Sequence, residues 1–361
     1  MTFLEKFKRP KIALPALGVV VVLIGALLAL FLHSGSPRQV TKQSDPTPAQ
    51  PSTTIPNPNC PLTGTPASTP QIPQRPALAV KVDNYPAARP QSGLNSADIV
   101  FEEPVEGGIT RLVAVYQCQQ PSLVGPVRSA REPDVAIIDL LSKPIFVHVG
   151  GIPPIEAMVK NTNSYDEDLF YDGSLVINPP GRQAPYDSYI SPKQVWSKYS
   201  YDTTPPNPLF SYSTTSSNGT PISRAYIPFS PTNDNTWVWN PFASLWDLSI
   251  GNTVASDNNG TQISTNNVLI LTVQTFQGPW VENSLGAHEV EVNATSGGPM
   301  QLLRNGVDIQ GNWSRPQYSD PISLTDSAGN AISLSPGRTW IELVPSQVTP
   351  SITQANTTMQ P

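Results

Sequence analysis

The chain has 361 residues, 38% of them hydrophobic and only 13% charged, with a net charge of −6 and a pI near 5.1. That length allows one large or two ordinary domains. The acidic balance argues against a general nucleic-acid-binding role, which wants a basic surface, and three histidines beside two cysteines argue against a histidine-rich metal site.

Lys6, Lys8, Arg9 and Lys11 fall in a basic segment, residues 1–11, ahead of an uncharged apolar run from Ile12 to Leu32. The run has the length of a bilayer-spanning helix. Its positive flank predicts a single-pass anchor in the bacterial plasma membrane, N-terminus cytoplasmic and the bulk of the chain extracytoplasmic. A cleaved signal peptide is the rival reading, but the run is long for one and His33-Ser34-Gly35-Ser36 is a poor cleavage site. No cysteine lies near the end of the run to carry a lipid. Residues 33–58 are rich in Pro, Ser, Thr and Gln and read as a disordered stalk. Cys60 and Cys118 are compatible with a disulfide in an exported protein, or with two free thiols.

Strands are predicted at Ala77–Asp83, Asp98–Glu103 and Ile109–Cys118, the last two joined by a turn through Gly107 and Gly108. Apolar spacing predicts a helix over Glu132–Leu141, a buried strand follows at Ile145–Val149, and short helices at Pro153–Lys160 and Ser191–Lys198. Residues 207–235 are turn-rich and read as a linker between an N-terminal domain, 59–206, and a β-rich C-terminal domain, 236–348. Strands of the latter are predicted at Thr236–Asn240, Asn267–Phe276, His288–Val292, Met300–Leu303 and Thr339–Val344. Residues 349–361 read as a disordered tail. The fold class expected is α+β: a mixed-sheet N-terminal domain with flanking helices and a β-rich C-terminal domain, preceded by one transmembrane helix.

Charge is sparse in this chain, yet it concentrates between Asp83 and Arg131, among apolar runs that read as buried strands. Buried charge is costly unless paired or used. Ser129 and Glu132 fit a capping box at the start of the predicted helix. Capping does not need Arg128 and Arg131, which make the same helix N-terminus a candidate anion site; structural pairing with nearby glutamates is the alternative. Arg111 has Glu106 across the turn as first partner and Glu102 as second. Asp83 and Asn84 end a strand and lead into Arg89, Gln91 and Ser92, a donor-rich loop that also reads as an ordinary turn. His148, followed by Gly150 and Gly151, is a minor candidate. Glu102 with Glu106 could alternatively serve as an acid/base pair. No P-loop, G-x-S-x-G or H-E-x-x-H is present, and no cofactor or metal is expected.

Several of these segments are specific. Pro61-Leu62-Thr63-Gly64, Val82-Asp83-Asn84, Ala88-Arg89-Pro90-Gln91-Ser92-Gly93-Leu94, Ala97-Asp98-Ile99-Val100, Glu106-Gly107-Gly108-Ile109-Thr110-Arg111 and Gly125-Pro126-Val127-Arg128-Ser129-Ala130-Arg131 closely resemble the YerB-like family of bacterial cell-envelope proteins. The resemblance runs from about Pro61 to Val344. It implies an exported, anchored protein, often a lipoprotein, with a mixed α+β N-terminal part and a β-rich C-terminal part. The family's core is a domain of unknown function, so the resemblance carries no catalytic roles. The chain departs from the pattern at Tyr186, where members often have histidine after Ala-Pro.

The reading is a membrane-tethered extracytoplasmic binding protein of the cell envelope. Its ligand would be anionic, bound by Arg128, Arg131 and Arg111 with Ser129, while Asp83, Glu102 and Glu106 orient the arginines. The membrane is met through residues 12–32; a wall polymer or an envelope protein is the expected partner, and nucleic acid is not. A hydrolase using Glu102 or Glu106 is one alternative. The other is a protein-interaction module presenting Trp237, Trp239, Trp246 and Trp280.

Overall fold

Leu78, Val80 and Val82 alternate with Ala79, Lys81 and Asp83, and all six are buried, so β1 (Leu78–Asp83) is a strand covered on both faces. The computed structural model describes residues 57–215, 219–230 and 233–355. The predicted cytoplasmic segment, anchor and nearly all of the stalk lie outside the described residues. β2 (Ile99–Pro104) and β3 (Thr110–Tyr116) are built like β1 and pair antiparallel across a single 3-10 turn at Glu106–Gly108. Gly107 (φ 76°) is left-handed there, a conformation in which a side chain would be strained. Next come α1 (Glu132–Leu140), β4 (Ile145–His148), α2 (Pro153–Lys160), β5 (Tyr165–Asp168) and α3 (Pro192–Lys198). Only strands follow: β6 (Thr220–Ser230), β7 (Asn233–Asn240), β8 (Leu245–Ile250), β9 (Thr253–Val254), β10 (Ser264–Thr265), β11 (Asn267–Val281), β12 (His288–Asn293), β13 (Gly297–Arg304), β14 (Val307–Ser314), β15 (Ser323–Asp326), β16 (Thr339–Pro345) and β17 (Ser351–Gln354).

The main sheet runs β5–β4–β1–β3–β2–β16–β11–β13–β14–β15. Its neighbours are parallel within β5–β4–β1 and β2–β16–β11 and antiparallel elsewhere. A smaller antiparallel sheet, β17–β6–β7–β8, covers one face, and β6 also reaches β14 at Pro221↔Val307. Val100, Val268, Ile270 and Trp340 of the main sheet meet Ile222, Ala225, Trp237 and Leu248 of the small one in a shared core. On the other face Ile99, Phe101, Val113 and Val115 meet Ile137 and Ile138 of α1 and Ile155 and Val159 of α2.

This corrects the expected fold class. The described residues hold seventeen strands but only three α-helices, so the molecule is mostly β, not an α+β domain with flanking helices followed by a β-rich one. Among them, no helix is long and apolar enough to cross a membrane. The sequence reading has no strand at β8, β14 or β15: β8 and β15 are short and part polar, and polar residues and a glycine interrupt β14 in Val307-Asp308-Ile309-Gln310-Gly311-Asn312. β16 pairs directly with β2, so one sheet draws strands from both halves of the chain. β6 occupies much of the stretch that reads as linker, and β17 part of the tail.

A disulfide joins Cys60 to Cys118, tying the start of the folded part to the residues just beyond β3 across a separation of 58 residues. Replacing both cysteines with serine is expected to lower stability by about 2–4 kcal/mol through the freed unfolded chain. The denaturant midpoint of the double variant measures this directly.

Candidate functional site

Cross-strand register assembles the site. Asp83 of β1 lies opposite Arg111 of β3, which lies opposite Glu103 of β2. Directly opposed residues of antiparallel strands project to the same face, so a charged row crosses the three strands, with Lys81 two residues before Asp83. The N-terminus of α1 meets this row. Arg131 is its N-cap, and the Asp134 carboxylate accepts the Arg131 backbone N–H (2.6 Å) while also accepting from Lys81 Nζ (2.7 Å). The cap is therefore set two residues later than the Ser129/Glu132 box expected from sequence. Residues before it stay extended because Arg128 N–H donates to the Lys81 carbonyl and Ala130 N–H to the Gly150 carbonyl. Glu132 instead accepts the Val292 N–H from β12 (3.2 Å).

A cavity of about 450 Å³ opens at this end of the strands. Of the residues expected from sequence, Asp83, Glu106, Arg111, Arg128, Ser129 and Arg131 line it. Arg131 grips the Glu106 carboxylate with both Nε (2.8 Å) and Nη2, and Nη2 also faces Glu282 Oε2 (3.1 Å). Arg111 Nη1 donates to the Ser129 carbonyl (2.9 Å) and Nη2 stands 3.7 Å from Glu106, leaving its buried Nε without a partner. Burial alone would push the Glu106 carboxyl up, but the Arg131 hydrogen bonds and the charges of Arg111 and Arg131 outweigh it and hold it down to about 2. Burial, then the neighbouring Arg131 charge, lowers Arg111 to about 10. Arg128 is bound to Asp83 through Nε alone (2.8 Å), its side chain is 29% exposed, and nothing among the described residues accepts from its Nη groups.

Glu102 is not part of this cavity, which corrects its expected role as an orienter of the arginines. It points to the opposite face of β2, where Glu342 is its register neighbour on β16. Thr110 Oγ1 (2.7 Å), Asn235 Nδ2 (2.8 Å) and Trp340 Nε1 (3.0 Å) donate to Glu102, and Trp237 Nε1 donates to Glu342 (2.7 Å). Burial raises both carboxyls, and the proximity of Glu102 raises Glu342 further. Asn84 joins this cluster through Glu102 and Thr110, Arg89 through Asn84 and Asn233, and Gln91 through Asn84. Ser92 exchanges backbone hydrogen bonds with Gly125, and its buried hydroxyl has no partner. His148 lies outside the cavity, with its ring held between the Gly150 carbonyl (2.9 Å) and Asp166 Oδ1 (2.8 Å). Trp237 and Trp246 are fully buried and present no contact surface.

Sequence reading missed Tyr85, Tyr186, Glu282 and Asn283 on the cavity wall. Tyr85 sits inside the polar block and was within reach, following Asp83-Asn84 directly. Tyr186 is the position where the chain departs from its family's pattern. Glu282, just past β11, carries no local signal, since only the β11–β12 arm brings it to Arg131.

The sheet joins strands from both halves of the chain, with paired charges at its strand ends, so the two halves form one domain whose activity no familiar motif announces. The chain belongs to the YerB-like family: residues 62–204 match the N-terminal domain, and residues 225–341 the C-terminal domain, of "Protein of unknown function (DUF3048)". It is similar to "Putative lipoprotein YerB" of Bacillus subtilis (strain 168), with 30% identity over 300 residues, 79% of this chain and 86% of the relative. The crystal structure of YerB protein from Bacillus subtilis is similar with a TM-score of 0.69 and 28% identity, covering 81% of this chain and 99% of that one.

Proposed function

We infer that this is an extracytoplasmic envelope protein, tethered through residues 12–32, whose arginine cavity binds a ligand bearing one carboxylate or phosphate. The observation that carries the reading is Arg128: a partly exposed guanidinium with both Nη groups unpartnered, on the wall of a ligand-sized cavity. Asp83 and Glu106 balance two of the three guanidiniums. The third carboxyl, Glu282, is pushed up by burial, which lessens its claim on the remaining positive charge. The name of the Bacillus subtilis relative, "Putative lipoprotein YerB", supports an outward-facing, anchored location, as does the basic-then-apolar N-terminal pattern.

The hydrolase alternative loses its candidates. Glu106 is held too low to exchange protons near neutral pH, and Glu102 is fully buried on the far face of the sheet. The expected result for binding is a 10- to 100-fold loss for Arg128→Ala, the worth of about 1.5–3 kcal/mol for charged hydrogen bonds. The full-length chain in detergent micelles would be co-sedimented with purified bacterial cell walls, with thermal melting as the folding control. Equal binding by wild type and variant would refute the reading.

A further inference from the structure

We propose that the ring bearing this anionic group is a sugar, and that its C–H face lies on the exposed Tyr85 ring, which the parallel Tyr186 ring supports. The proposal rests on the arginine-cavity reading and specifies its ligand class. The two tyrosine rings are almost parallel, 4° apart in plane with centroids 6.3 Å apart, within the range of an offset stack. Both line the cavity, and the Arg128 guanidinium stands 6.0 Å from the centre of the Tyr186 ring. Tyr85 is 43% exposed, a large aromatic surface left in water.

The platform is built before any ligand arrives. Tyr85 N–H donates to Asp83 Oδ1 (2.9 Å), the carboxylate that also holds Arg128 through Oδ2. Tyr186 N–H donates to the Gln183 carbonyl, and Arg182 from the same loop donates to the carbonyls of Ala88 and Pro90 in the Tyr85 loop. The loops are thus tied together, so the aromatic pair would lose little freedom on binding. Among the described residues neither tyrosine hydroxyl has a hydrogen-bond partner. An apolar shelf, free hydroxyls and a guanidinium whose Nη groups are unpartnered suit a pyranose: C–H groups on its face, hydroxyls at its edge and an acid group as substituent. A bare anion would use the guanidinium and leave the shelf empty.

Binding of glucuronate, acetate and glucose to the full-length chain in detergent micelles, read by ligand-observed NMR, tests this. Glucuronate is expected to bind about 10-fold or more tighter than either acetate, which lacks the ring, or glucose, which lacks the charge. Glucose 6-phosphate against inorganic phosphate repeats the comparison for the other anion. Tyr85→Ala/Tyr186→Ala is expected to bring glucuronate down to the level of acetate, while Tyr85→Phe/Tyr186→Phe keeps the shelf and most of the affinity. Arg128→Ala should weaken glucuronate and acetate alike. If the alanine pair leaves glucuronate and glucose 6-phosphate unaffected while Arg128→Ala weakens acetate, the sugar platform is wrong and the anion site stands. If Arg128→Ala changes none of the probes, or no probe binds at tens of millimolar, both readings fall.

Discussion

Thermal unfolding of the wild-type protein is expected to move to lower temperature as pH rises from about 5 to 9, and Glu342→Gln to flatten that slope. Glu342 and Glu102 are fully buried neighbours on parallel strands, and burial pushes both carboxyls above the ordinary 4.5. The donors around them, Thr110, Asn235, Trp237 and Trp340, favour the charged form but do not overcome desolvation. An acid whose folded value is raised stabilises the fold fully below its unfolded value and loses that contribution as pH climbs toward the folded one. Between those limits the unfolded chain has already ionised while the fold still holds its protons. Each unit of separation between the folded and unfolded values is worth roughly 1.4 kcal/mol. Glutamine at 342 keeps an acceptor for the Trp237 N–H and removes the titration. Some slope will remain, because burial and the Asp134 charge also hold Glu103 up at about 8. Melting curves across pH decide the matter: a Glu342→Gln slope identical to wild type, or stability that increases with pH, contradicts the account.

Lys81→Met is expected to cost about 3–5 kcal/mol, the range for breaking a buried ion pair on one side. In a domain of this size that lowers the melting temperature by on the order of 10 °C. Lys81 has no exposed surface and bridges Glu103 and Asp134, both also fully buried. Without the ammonium the two carboxyls face each other unpaired, and Glu103 Oε2 already lacks a partner. Asp134 caps α1 at Arg131, so the damage reaches the cavity through the helix start. Adding Glu103→Gln should restore part of the loss, since an amide N–H can donate to the Asp134 carboxylate that the missing ammonium leaves. Melts of the single and double variants in one buffer check this; a Lys81→Met protein as stable as wild type would show that the ammonium is not needed to hold the carboxyls.

Much of the cavity was legible before the structure. Asp83, Glu106, Arg111, Arg128, Ser129 and Arg131 were all candidates, and one cavity collects them. They lie on adjacent strands joined by short connections, so period-2 alternation and neighbouring register already bring them close. Glu102 shows the limit of that reasoning. Alternation correctly separates it from Glu103, but in a strand buried on both faces it does not say which face meets the cavity and which meets β7. Ser129 shows a second limit, because an S-x-x-E pattern competed with tertiary hydrogen bonds that kept residues 128–130 extended. The fold class missed that both halves share one mostly β sheet, and in the second half strands such as β14 and β15 carry polar residues, and β14 a glycine, that only sheet neighbours compensate.

Local pattern was enough for β1 to β4, the three helices and the concentration of charge near Arg131, because period, propensity and turn chemistry act over a few residues. Distant contacts settled the rest. Trp340 reaches Glu102 across 238 residues of chain, and Asn235 reaches it across 133, which turns a strand glutamate into part of a buried carboxyl cluster. Glu282 closes on Arg131, and Tyr186 stacks on Tyr85, from segments with no pattern in common with theirs. Pairing energies of this kind depend on which surfaces the folded sheet brings together, and neither partner carries a local trace of the other.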